Sequence, residues 1–144
     1  DKLEGFRETQ LLAAQHLSDY HDRHARPQLA IPHAEKAVTL NPKDAKTLST
    51  LVSAHVRLRH WQEAESAVLR ARGISRAERR HLLGMVALAH AQALHQANAT
   101  GALPLALAAY KRLPDFAPAA QLLSELLVLS QQRRKAQNLL IQVW

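Results

Sequence analysis

The chain has 144 residues, 47% of them hydrophobic and 22% charged, with no cysteine. That is enough apolar matter for one compact domain with a core, and it excludes disulfide scaffolds, thiolate metal sites and a disordered tail. Lys and Arg number 19 against 12 Asp and Glu, a net charge of +7 that biases the surface toward anionic partners.

Ala and Leu dominate, glycines number only 4 and aromatics make up 4%, so the composition favours residues that lose least entropy in a helix and predicts an all-α fold. No window approaches the ~18 consecutive apolar residues of a membrane span, and the amino end does not read as a signal peptide. Basic residues are spread along the chain with only two Trp, two Tyr and two Phe to stack on bases, so nucleic acid is not the expected partner.

In chain order, "LEGFRETQLLAAQHLSDYHDR" predicts a first helix over about 2–23, and a loop around "RHARPQ" precedes a second over about 29–40, with Pro32 limiting where it begins. "SDYHDRH" places Asp19, His21, Asp22 and His24 near the first helix's end. His21 and His24 share a face there and could help hold a transition metal, but the plainer reading is a solvated helix terminus, and no metal site is assigned. Helices over about 44–58 and 61–72 follow. Leu51, Val52 and His55 fall in the packing seam of one and Ala64, Val68 and Ala71 in that of the other, with Trp61 as a packing anchor.

A fifth helix spans about 76–98, with the Leu83-Gly84 pair allowing close backbone approach. Loop "HQANATGALP" leads to a sixth over about 103–112, where Pro104 sits in a tolerated first-turn position. "KRLPDFAPAAQLLSELLVLSQQRRKAQNLLIQVW" breaks at Pro114 and restarts near Pro118, and the polar "QQRR" predicts a second pause. Two last helices are therefore expected, over about 116–130 and 132–144, with Leu123, Ser124, Leu127, Ala136, Leu140 and Val143 in their seam.

The pieces "AEKAVTLNPKDAKTLSTLVSAH" and "ALAAYKRLPDFAPAAQLLSELL" align on Pro42 and Pro114, so the chain repeats internally. The template resembles the tetratricopeptide repeat, a helix-turn-helix of about 34 residues. The expected architecture is one domain over 1–144, a right-handed solenoid of about four antiparallel helix pairs with a concave side lined by each pair's first helix.

The order "EGFRETQLLAAQ", "AIPHAEKAVTLNP", "HWQEAESAVLRARGISRAERRHLLGMVALAHAQAL" and "PDFAPAAQLLSELLVLSQQRRKAQNLLIQVW" resembles the carboxy-terminal repeat domain of HemY proteins, especially the alphaproteobacterial forms. Its most specific pieces are "PDFAPAA" and "RRKAQNLLIQVW". The resemblance implies a soluble extramembrane part of a longer protein held at the bacterial inner membrane by two preceding spans and associated with haem biosynthesis. It implies proteins of the haem pathway as partners. It also implies that "LLIQVW" belongs to an inner repeat left uncovered, through which self-association is expected.

No Zn-hydrolase pattern, nucleophile elbow or phosphate-cradling loop appears, so an enzyme is not expected. His81 and Met85 lie one helical turn apart, and both residue types ligate haem iron. Sharing one face, they cannot both be axial ligands to one haem, since those approach from opposite sides, and packing explains the pair better. Groove-facing template positions are Lys46, Ser49, Ser53, Arg57, His81, Met85, Gln121 and Glu125, a mixed polar strip suited to an extended peptide or helix. The leading expectation is a non-catalytic interaction scaffold. Its rivals are a carrier of haem, porphyrin or metal and, behind it, a basic adaptor for RNA or anionic lipid.

Overall fold

The computed structural model describes residues 2–143, with side chains through Ile141, and is all-helical, with seven helices and no strand among the described residues. They are α1 (Lys2–Arg23), α2 (Pro27–Leu40), α3 (Ala45–Arg57), α4 (Trp61–Arg70), α5 (Arg76–Gln96), α6 (Ala102–Arg112) and α7 (Ala117–Val143). Residues Asp1–Val86 and Ala87–Trp144 form two compact units.

In the first unit α1 packs on α2, α2 on α3 and α3 on α4, and α1 also reaches α3. The intervening turns are short, so successive helices run antiparallel. Its core gathers Ala34 from α2, Leu48, Leu51 and Val52 from α3, Ala64, Ala67 and Val68 from α4, and Leu82 and Val86 from α5. In the second unit Leu88 and Ala91 of α5 meet Ala102, Ala106 and Ala109 of α6 and Ala119, Leu122 and Leu126 of α7.

The buried positions recur. Ala30, Ala34 and Ala37 of α2 are followed 34 residues on by Ala64, Val68 and Ala71, and 38 further on by Ala102, Ala106 and Ala109, all nine buried. The preceding helices repeat too: Ala14 and Ser18, Leu48 and Val52, Leu82 and Val86, then Leu122 and Leu126 are all buried. Ser18 occupies an apolar slot, and its Oγ has no protein partner.

The turns repeat with the core. α1, α3 and α5 are each followed, two residues past the last helical one, by a residue with positive φ: Ala25 at 54°, Arg59 at 61° and Asn98 at 52°. In each case the next amide reaches back five residues, Arg26 to His21, His60 to His55 and Ala99 to Leu94, every N–H···O bond 2.9 Å long. This is the helix-closing motif that normally favours glycine. Starts are varied instead. Pro27 opens α2 at its first position, where its fixed φ suits a helix. Asp44 caps α3 by accepting from the Thr47 N–H at 3.2 Å. Ser75 and Glu78 form a reciprocal capping box ahead of α5, each side chain accepting the other's amide at 3.1 Å. Arg79 closes α4 by donating to the Ala71 carbonyl at 2.6 Å.

One turn leaves no room for a side chain. A Cβ on Gly73 would come within 2.4 Å of the Pro42 carbonyl oxygen, so the turn after α4 lies directly on the turn after α2.

Three expectations are corrected. α7 runs unbroken through "QQRR", so among the described residues the eighth helix is absent and the fourth pair is not completed. Gln, Arg and Lys are good helix formers, and without Gly or Pro a polar run changes exposure, not backbone. The seam expected on that segment is also displaced. Ser124, Leu127, Ala136 and Leu140 are exposed and Leu123 is half-buried, while Ala119, Leu122 and Leu126 are buried. Alignment on the two prolines overlooked a shift of two residues between the turn and the seam, and Val143's side chain lies outside the described residues. Finally, Pro32 sits inside α2 instead of setting its start, because Pro27 already begins the helix and Pro32 forfeits only a bond in its second turn.

A left-handed conformation at a non-glycine residue costs about 1–2 kcal/mol. Arg59→Gly is therefore expected to raise stability by up to about 1 kcal/mol in urea unfolding, after the glycine's extra unfolded-state entropy is offset. Unchanged or lower stability would show that the turn is not strained.

Candidate interaction surface

Lys46, Ser49, Ser53 and Arg57 recur at i, i+3, i+7 and i+11 and so occupy one face of α3, opposite buried Leu48, Leu51, Val52 and His55. Lys46, Ser49 and Arg57 are exposed and Ser53 is half-buried. Arg57 is engaged: its Nη1 donates to the Asp22 carboxylate at 3.0 Å and lies 3.4 Å from the Asp22 carbonyl, tying α3 to the end of α1. The pair is solvent-facing and contributes at most about 1 kcal/mol. Its effect is to fix where the guanidinium points.

On α5, His81 is exposed and Met85 half-buried, beside the core residues Leu82 and Val86. In the second unit Gln121 and Glu125 are exposed on α7, and the Glu125 carboxylate lies 3.8 Å from His95 Nε2. These two line a polar cavity of about 310 Å³ with Gln92, His95 and Gln96 of α5. The three α5 residues were not among those expected from sequence, although Gln92 and Gln96 continue the line of His81 and Met85 at i+11 and i+15.

A second site that sequence did not mark lies in the first unit. Here α2, α3 and α4 enclose a cavity of about 330 Å³ with an apolar floor of Val38, Leu51 and Ala67 and a rim of Glu35, Arg70 and Arg72. The arginines read in sequence as a solvated basic face. Only the pairing of α2 with α4 through α3 brings Glu35 near them.

The four residues of "SDYHDRH" do not converge. His24 Nδ1 lies 2.7 Å from the Tyr20 carbonyl, His21 stacks on His33 of α2 with ring centroids 5.6 Å apart, and Asp22 holds Arg57. No group of three or more His, Asp or Glu side chains placed to hold a metal occurs among the described residues.

A half-buried carboxylate and a buried imidazole set the electrostatics of α3. Burial would raise the Asp44 carboxyl, but hydrogen bonds from the Thr47 hydroxyl and amide and from the Gln15 side chain outweigh it and hold it below the usual carboxylate range. His55 is 6% exposed and its Nδ1 has no partner. Burial pushes its imidazole below the ordinary value of 6.5; Glu35 and Glu63 favour the charged form, while His60 and Arg70 oppose it. Burial lowers His90 as well.

No protein-family model, curated protein or solved structure matches the chain.

Because His55 takes up its proton more readily when unfolded, its contribution to stability is present above the unfolded pKa of about 6.5 and is lost as pH falls through the depressed folded value. Urea unfolding of the wild type should therefore show falling stability below about pH 6.5. His55→Leu should flatten that slope, leaving the part due to His90 and, nearer the carboxylate range, to Asp44. An identical slope in the variant would contradict the assignment.

Proposed function

We infer that the chain is a non-catalytic interaction scaffold, a tetratricopeptide-like right-handed solenoid of helix hairpins. It offers the groove-facing sides of its first helices to protein partners. The observation that carries this reading is the recurrence of buried positions at 34 residues, Ala30, Ala34 and Ala37 against Ala64, Val68 and Ala71, accompanied by the same left-handed turn after α1, α3 and α5. A repeat of that length in which one hairpin covers the next has surface as its main product, with many shallow contacts along a face. Lys46, Ser49, Ser53 and Arg57 share one face of α3, and in this reading His81 and Met85 of α5 continue the strip.

The likeness of "PDFAPAA" and "RRKAQNLLIQVW" to HemY supplies the setting: bacterial haem biosynthesis at the inner membrane, with proteins of that pathway as partners. The half-buried Met85 adds an adaptable contact to the strip.

The scaffold reading is tested by affinity capture with the wild type and with an Arg57→Glu, Met85→Ala double variant, both checked for helix content by circular dichroism. The expected outcome is capture of pathway proteins by the wild type and their loss from the variant. A shifted haem Soret band that disappears in Met85→Ala would replace the scaffold with a haem carrier.

A further inference from the structure

The C-terminal half of α7 leaves large apolar side chains exposed. α7 begins as a core helix through Ala119, Leu122 and Leu126, yet from Gln131 to Ile141 every residue is exposed, with Leu139 at 62%, Leu140 at 60% and Ile141 at 73%. Backbone hydrogen bonds alone hold a bare helix of this length only marginally in water, so a surface that covers its apolar side favours it.

The side chains are sorted around the helix, except that Ile141 falls on the far side, one turn from Gln137 and two from Arg134. Val128, Ala136 and Leu139 fall at i, i+8 and i+11, and Leu129, Ala136 and Leu140 at i, i+7 and i+11, so these five share one face. Arg133 stands one turn from Leu129 and two from Leu140, on one border of that face. Lys135 stands one turn from Leu139 and two from Val128, on the other. Arg134 adds a third cation, and no Asp or Glu follows Glu125 in the sequence. An apolar face bordered on both sides by long cationic side chains, interrupted near its middle by Gln132 and with Gln131, Gln137 and Asn138 away from it, matches what an anionic interface asks of a helix. The aliphatic stems cover apolar surface while the charged heads reach outward.

We propose that this half of α7 is a membrane-surface helix that lies in the headgroup layer of an anionic lipid bilayer. Val128, Leu129, Leu139 and Leu140 face the acyl chains, and Arg133 and Lys135 meet lipid phosphates. Charge complementarity selects this occupant. A second copy would bring the same three cations to the same borders, and a nucleic acid would leave the leucines uncovered. An acidic partner helix would bury a narrow seam edged by charges of both signs, whereas this face is broad and its edges are all positive. The proposal does not depend on the scaffold reading.

The test is co-sedimentation of the 144-residue chain with vesicles of mixed phosphatidylglycerol and phosphatidylcholine and with vesicles of phosphatidylcholine alone. Binding to the mixed vesicles should be at least about tenfold tighter than to the neutral ones and should weaken with added salt. With roughly 1 kcal/mol per cation near such a surface, R133Q/R134Q/K135Q should lower partitioning on the order of 100-fold. Leu139→Asp with Leu140→Asp should abolish it, and since these positions lie outside the core, circular dichroism in buffer should stay near wild type. Equal binding to both vesicle types, no binding, or undiminished binding of the triple variant would overturn the proposal. So would a concentration-dependent dimer that Leu140→Asp dissolves while vesicles are ignored, which would assign the face to a second copy.

Discussion

A hairpin of two short helices has an apolar side that it cannot cover by itself, and this chain meets the constraint with alanine. Ala30, Ala34, Ala37, Ala64, Ala106 and Ala109 are each fully or almost fully enclosed. Alanine loses no rotamer freedom on burial and lets neighbouring backbones approach, so part of the gain comes from dispersion across a close contact rather than from the area of any one side chain. The larger apolar residues, Leu48, Leu51, Val52, Val68 and Leu82, fill the spaces that such an approach leaves. Close packing of this kind tolerates small residues at fixed spacing and little else, which is why the spacing recurs while the residues around it drift.

The same constraint reaches into the turns. If hairpins are to meet seam to seam, each first helix must end at a set length and turn sharply, and α1, α3 and α5 do so through one geometry although the turning residues differ, Ala25, Arg59 and Asn98. The strain at those positions is tolerated because the packing on either side fixes the chain's direction. Gly73 marks a related demand: the turn after α4 meets the Pro42 carbonyl so closely that hydrogen is the only substituent with room. Polar groups sit where the seam permits them. Gln15 of α1 donates to the Asp44 cap of α3 at 2.6 Å and so links two first helices by a hydrogen bond, while His55 is enclosed with one ring nitrogen unpartnered.

Much of this was legible in the amino-acid order, because the decisive signals are local. Helical composition and the breaks at Pro42 and Pro114 placed most elements within a few residues, and the seam through Leu51, Val52, His55, Ala64, Val68 and Ala71 is buried as expected. What escaped was set by packing. The polar "QQRR" looked like an interruption, but polarity alone does not end a helix, and the seam of α7 slipped by two residues relative to its proline. The surface was legible only in part. Spacing placed Lys46, Ser49, Ser53 and Arg57 on one face, yet it could not show that Asp22, from a different helix, holds Arg57. Nor could it show that Glu35 shares a cavity with Arg70 and Arg72.

The alanine seam is tested most directly by enlarging it. Urea unfolding of Ala34→Leu and Ala106→Leu, beside Ala13→Leu on the exposed side of α1, compares overpacking in each unit with a neutral position. Losses of about 1–3 kcal/mol are expected at the two buried sites and within about 0.5 kcal/mol at the exposed one. If all three variants unfold alike, close approach at alanine is not what holds the hairpins together.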